Sequence, residues 1–145
     1  MNKASFDKLE DMAVFYKHAG RIEYEDFLFE PTFMIGDYFQ TLFHNLSPEM
    51  QFKSVIFLDA QKQENAPTPI YWVPYLPCGD VIHPDSEIVL GKAKNLVLQK
   101  EKLGEARIIH AKLPADDIWL LSLEAAECIL RRGPMGITLS KVELR

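Results

Sequence analysis

"FMIGDYFQTLFHNLSPEMQFKSVIFL", Phe33 to Leu58, carries the alternation of structure types that decides the fold class. Asp37 with Gln40 three residues later resembles a capping box, and Tyr38, Phe39, Leu42, Phe43 and Leu46 then cover one side of a short helix ending near Asn45. Pro48 opens a brief turn, and "SVIFLDA", Ser54 to Ala60, is the β-branched and aromatic run of a buried strand. Ile118 to Leu144, "IWLLSLEAAECILRRGPMGITLSKVEL", repeats the plan of apolar strand, capping residue, amphipathic helix, proline-containing turn and second strand. In this second helix Ser122 is the cap, Glu124 lies in the first turn, and Gly133–Pro134 is the stop. Leu123, Ala125, Ala126, Ile129 and Leu130 form the predicted buried arc. Two such β-α-β-like units, packing their helices on a shared sheet, predict an α+β (mixed α/β) fold with a mixed, mostly antiparallel sheet and three to four helices.

Elsewhere the elements are shorter. Ser5 is placed to cap a helix with Phe6, Leu9, Met12, Ala13 and Tyr16 on one face and Gly20 at its end, while Val14 and Phe15 point away from that stripe, to a second packing surface inside the domain or to apolar surface offered to a partner. "RIEYEDFLF", from Arg21, alternates and then turns apolar, as a strand entering a core does. "QKQENAPTP" is a loop, and Pro74 in the following "IYWVPYLP" implies an edge strand or a bulge. After the loop "CGDVIHPDSE", the segments "KNLVLQ", "RIIHAK" and "DIWLLS" read as strands. At 145 residues and 48% hydrophobic, the expectation is one domain over 1–145, with a helix and acidic strand in 1–32 and the sheet core in 33–145.

Charge and cysteine usage exclude several function classes. A net charge of −5 lacks the basic excess that direct nucleic-acid binding requires. Between Arg21 and Gln40 stand Glu23, Glu25, Asp26, Glu30 and Asp37, whereas Gly91 to Lys112 holds six bases against Glu101 and Glu105. Such asymmetry steers association with a partner of opposite sign. Two cysteines 50 positions apart make neither a disulfide framework nor a zinc site. With no signal-peptide run and no membrane span, the prediction is a soluble cytoplasmic protein without membrane contact, metal or cofactor.

Catalytic motifs are sparse. Cys128, followed by Arg131 and Arg132, sits in the last turns of its helix, where the C-terminal carbonyls oppose a thiolate, and Arg131 is accounted for by Glu127 one turn earlier. Cys78, Asp80 and His83 share one loop and are the alternative, a small cysteine-dependent enzyme using Cys78 with His83. His18, His44 and His110 are isolated in sequence and are read as structural. No phosphate loop, nucleophile elbow or dinucleotide fingerprint occurs.

The order of motifs from Tyr71 to Leu144 resembles a bacterial immunity-protein family, the eleventh of the numbered families found beside polymorphic toxins. The resemblance lies in the strand led by Tyr71, a loop carrying Asp80, the Ser86–Glu87 pair, the "NLVLQKEK" element, Ile118 to Ser122, and Gly136 to Leu139. It extends more loosely over Phe33 to Leu58.

This resemblance implies an antidote of contact-dependent growth inhibition, a cytoplasmic protein that binds the C-terminal domain of a cognate toxin and performs no chemistry. A basic nuclease toxin, such as a tRNase, would suit an acidic antidote that occludes the active site. The expected partner-binding residues are Glu23, Glu25, Asp26 and Glu30, with Asp80, Asp85 and Glu87 as a second patch. Tyr71, Trp72 and Tyr75 are aromatic candidates better read as core. An adaptor of a phage or secretion assembly is the other binding-module reading.

Overall fold

A computed structural model describes residues 1–10, 12–16, 24–60 and 68–145. The fold is α+β: among the described residues, four helices accompany a mixed five-stranded sheet and three two-stranded ribbons. The chain forms two compact units, Met1–Tyr75 with Arg132–Ile137, and Leu76–Arg131 with Thr138–Arg145.

The first unit is built on the sheet β1-β4-β5-β3-β2, made of β1 (Met12–Tyr16), β2 (Phe27–Leu28), β3 (Met34–Gly36), β4 (Gln51–Asp59) and β5 (Ile70–Tyr75). Strand β1 is parallel to β4, with Met12 opposite Val55, and all other pairs are antiparallel. Helix α2 (Asp37–Leu46) turns Phe39, Phe43 and Leu46 inward. There the Phe27 ring packs, tilted by 48°, at 4.9 Å from Phe39 and 5.8 Å from Phe43. A second cluster joins Phe6, Met34, Val55, Tyr71 and Val73. Each of these large side chains contributes about 1.5–3 kcal/mol by leaving water.

The N-terminal helix expected through Tyr16 is not formed. Asn2, not Ser5, is the cap, accepting from the Ser5 amide at 2.8 Å, and α1 stops after Lys3–Asp7. Met12–Tyr16 instead extends along the free edge of β4, and Val14 packs against the Phe6 cluster. Pairing with a partner 43 residues downstream overrides the local helical period, and the β-branched and aromatic residues of "AVFY" suit the pleat. Gly20 and the beginning of "RIEYEDFLF" lie outside the described residues, as does most of "QKQENAPTP".

Pro74 lies in a strand with neighbours on both sides, yet the reason for expecting an edge holds locally. The Phe57 amide donates to Pro69 O at 3.1 Å, which sets the β4 ladder bonds on the odd-numbered residues of β5. The nitrogen of Pro74 therefore faces the β3 side, where β3 pairs only with Tyr71 and Trp72.

The second unit contains the hairpin β9 (Ile108–Leu113) with β10 (Asp116–Leu121), the hairpin β6 (Glu87–Val89) with β7 (Lys92–Asn95), and the parallel pair β8 (Val97–Leu98) with β11 (Glu143–Leu144). Helix α3 (Lys100–Leu103) follows β8. Helix α4 (Leu123–Leu130) is capped as expected, with Ser122 Oγ accepting from the Ala125 amide at 3.2 Å. Its buried face is narrower than predicted: Ala125 and Ile129 are buried, while Leu123 and Leu130 are 76% and 52% exposed.

The β6–β7 hairpin is unexpected. Leu90 and Gly91 both have positive φ at its tip, where a two-residue turn favours Asn-Gly, so the sequence lacks the usual signal. Gly91 is required, since a Cβ there would lie 2.6 Å from Ala115 Cβ, and Gly91 O accepts from the Ala115 amide. The predicted echo of two β-α-β units also divides. Strands β3 and β4 both flank β5 in one sheet around α2, but β10 pairs with β9 whereas the chain after α4 returns only as β11 beside β8. Among the described residues, then, no shared sheet carries both helices.

Candidate functional site

Two groups of residues emerge from the expected site. The first lies on the segment from Tyr24 to Asp37, which is tied down mainly through its backbone. The Tyr71 hydroxyl, itself buried, donates to Glu25 O at 2.6 Å. Asp26 uses its own amide on Met135 O at 3.0 Å, its carbonyl on the Gly36 amide at 2.7 Å and its carboxylate on the Met135 amide at 2.8 Å. Asp26 is thus a positioning residue more than a presented charge. Glu25 and Glu30 are exposed, and between them Phe29 is 56% exposed with its ring against Phe33 at 5.2 Å. Among the described residues, no ion pair engages Glu25 or Glu30. Glu23 lies outside the described residues.

The carboxylates act on their anchor as well. Burial first, then the nearby Asp26 and Glu25 charges, push the Tyr71 phenol above its ordinary pKa of 10.0. Asp37 is not the helix cap; Gly36 is, and Asp37 in the first turn accepts from the Trp72 indole at 2.7 Å. Tyr71 is core, while Trp72 and Tyr75 are half-buried.

The second expected patch is electrically quiet. Asp80 pairs with Lys102 at 2.6 Å, Glu87 with Lys94 at 2.8 Å, and Asp85 with Arg145. These exposed pairs add little stability, but each cancels a carboxylate at short range. The bases of Gly91–Lys112 are partly used here, which is why the charge asymmetry read from sequence is weaker in space. Ser86 has a structural role, donating to Val97 O at 2.9 Å and accepting from the Val97 amide at 3.0 Å.

The cysteine loop is organised differently from its sequence. His83 faces Asp85, whose amide donates to His83 Nδ1 at 3.1 Å, so it is not the partner of Cys78. The partner is His110: Cys78 Sγ lies 3.5 Å from His110 Nδ1, and His110 Nε2 lies 3.1 Å from Asp117 Oδ1. His110 is 3% exposed, Cys78 is exposed, and Trp119 stacks on the imidazole at 4.7 Å and 16°. A parallel bridge between Cys78 and His110, with the Gly79 amide on His110 O at 2.8 Å, aligns the first pair. Hairpin register aligns the second, because Trp119 stands opposite His110 and Asp117 is its diagonal neighbour on the same face. The alternation in "RIIHAK" and "DIWLLS" held that last signal.

Cys128 is half-buried on α4, and Glu127 and Arg131 beside it form the expected pair at 3.5 Å. Among the described residues there is no cluster of metal-ligand type and no helix long and apolar enough to cross a membrane. No family model, curated protein or solved structure matches the chain.

Proposed function

We propose that the chain is an immunity protein: a binding module that neutralises a cognate toxin domain, a basic nuclease such as a tRNase, by covering its working cleft. The observation that carries this reading is the Tyr24–Asp37 segment, in which exposed Glu25 and Glu30 flank exposed Phe29 on a backbone fastened by Tyr71, Met135 and Gly36. An aromatic anchor rimmed by charge and held in place before encounter is the composition from which interfaces draw most of their energy. The acidic net charge of −5 adds long-range steering toward a basic partner. Asp80, Asp85 and Glu87, each already paired, belong to the rim of such an interface at most.

The test is co-expression with the C-terminal domain of a candidate toxin. A stoichiometric complex is expected, with an association rate that falls as salt rises. Phe29→Ala weakens capture by about tenfold or more, and the double reversal Glu25→Lys/Glu30→Lys slows association. Unchanged capture and unchanged salt dependence in the triple variant would remove this segment from the interface.

A further inference from the structure

The Cys78–His110–Asp117 arrangement is unused by the binding reading. Its pieces come from three places, the segment after β5, strand β9 and strand β10, and they meet in the order a thiol nucleophile needs: sulfur, imidazole, carboxylate. We propose that these three residues form a nucleophilic thiol centre that takes an acyl group from an activated ester or thioester.

Each contact has a chemical role. His110 Nε2–H donates to Asp117, which fixes the tautomer and leaves Nδ1 facing the Cys78 thiol. Nδ1 removes the thiol proton, and the sulfur attacks the acyl carbonyl carbon. The bond from that carbon to the leaving oxygen or sulfur breaks, and the imidazolium hands its proton to the departing alcohol or thiol. A water molecule, deprotonated by the same nitrogen, then attacks the S-acyl carbon, releases the carboxylic acid and restores the thiol. Between the two transfers the Nδ1–H has a resting acceptor in Leu76 O, 3.2 Å away. The Trp119 ring face, parallel to the imidazole, locks its plane.

Exposure separates the two thiols of this chain. Cys78 is open to a substrate in trans, while the His110 side chain is only 3% exposed and held in one orientation. Cys128, half-buried near the end of α4, serves as an internal control.

The experiment exposes the full chain to p-nitrophenyl acetate at neutral pH and follows p-nitrophenolate release together with intact mass and peptide mapping. One acetyl group on Cys78 is expected, with Cys128 unmodified. His110→Gln lowers the acylation rate by about a hundredfold, the low end of a general base's contribution. Asp117→Asn, at a side chain 41% exposed, lowers it by about tenfold and displaces the pH profile of acylation, which a merely structural role would not do. Equal acylation of Cys78 and Cys128, or a Cys78 rate and pH profile untouched by Asp117→Asn, would overturn the assignment whether or not His110→Gln folds. Cys78→Ala leaves toxin capture unchanged, so a failure of this proposal and a failure of the binding reading are told apart.

Discussion

Gly136→Ala tests whether the backbone clamp on the acidic segment is as tight as the geometry requires. Gly136 has φ +83°, and a Cβ placed there would lie 2.5 Å from Phe27 O and 2.8 Å from Glu25 Cβ. The conformational part costs about 1–2 kcal/mol, as for any L-residue in the left-handed region. The steric part meets a backbone oxygen on a residue whose amide, like that of Asp26, is bonded to Met135 O, so relief by moving the chain strains those bonds and adds about 1–3 kcal/mol. Gly133 supplies the reference: its φ is +60°, but nothing lies within 4 Å of its Cβ position, so Gly133→Ala carries only the conformational part. Urea denaturation of both variants at pH 7 should place Gly136→Ala below Gly133→Ala by about 1–3 kcal/mol. In a thermal scan that is about 2–4 °C for each kcal/mol. Equal stabilities would refute the reasoning, because the two substitutions differ only in what the new methyl group meets. If the clamp also presents the interface, Gly136→Ala reduces toxin capture as well, and Gly133→Ala does not.

Four further outcomes follow from the same contacts. Ile129→Ala empties a fully buried site on α4 and should cost about 2–5 kcal/mol by denaturation, whereas Leu130→Ala, at a 52% exposed position, should stay within about 0.5 kcal/mol. Ser122→Ala removes the α4 cap and should cost about 1 kcal/mol. Leu90→Asn should raise stability by up to about 1 kcal/mol, since Asn tolerates the positive φ and a 94% exposed apolar side chain is lost. Tyr71 has its phenol pKa raised in the folded state, so its contribution is complete below about pH 10 and is lost as pH climbs beyond. Ultraviolet titration should show one tyrosine ionising late, and Tyr71→Phe should abolish that step while flattening the alkaline fall in stability.

What the sequence disclosed was whatever depends on neighbours along the chain. Helices α2 and α4 announce themselves by apolar spacing and flanking residues, and β4, β9 and β10 by continuous or alternating apolar runs. Met12–Tyr16 fits a helical stripe and a strand equally well, and only pairing with Val55–Asp59 settles it. The β6–β7 hairpin was hidden because Leu90 occupies a turn position that normally advertises itself with Asn or Asp. Acid clusters were visible by position, but the cations that neutralise Asp80, Asp85 and Glu87 come from 7 to 60 residues away. Sequence proximity likewise paired Cys78 with His83, when the histidine within reach is 32 residues downstream.

The interleaving of the two units bears on how the protein is made and handled. The first unit reaches Tyr75 early, yet the amide that holds the Asp26 carboxylate belongs to Met135, 109 positions later. A growing chain therefore completes the fastening of its Asp26 segment only once Met135 has left the ribosome. The same holds for dissection: a cut after Tyr75 parts Met1–Tyr75 from the rest of its unit, and loss of residues 132–145 strips Asp26 of its tether and Val97–Leu98 of its companion strand together. Closing so long a loop is slow relative to local structure, which makes the Asp26–Met135 contact a late step for a segment that emerges early.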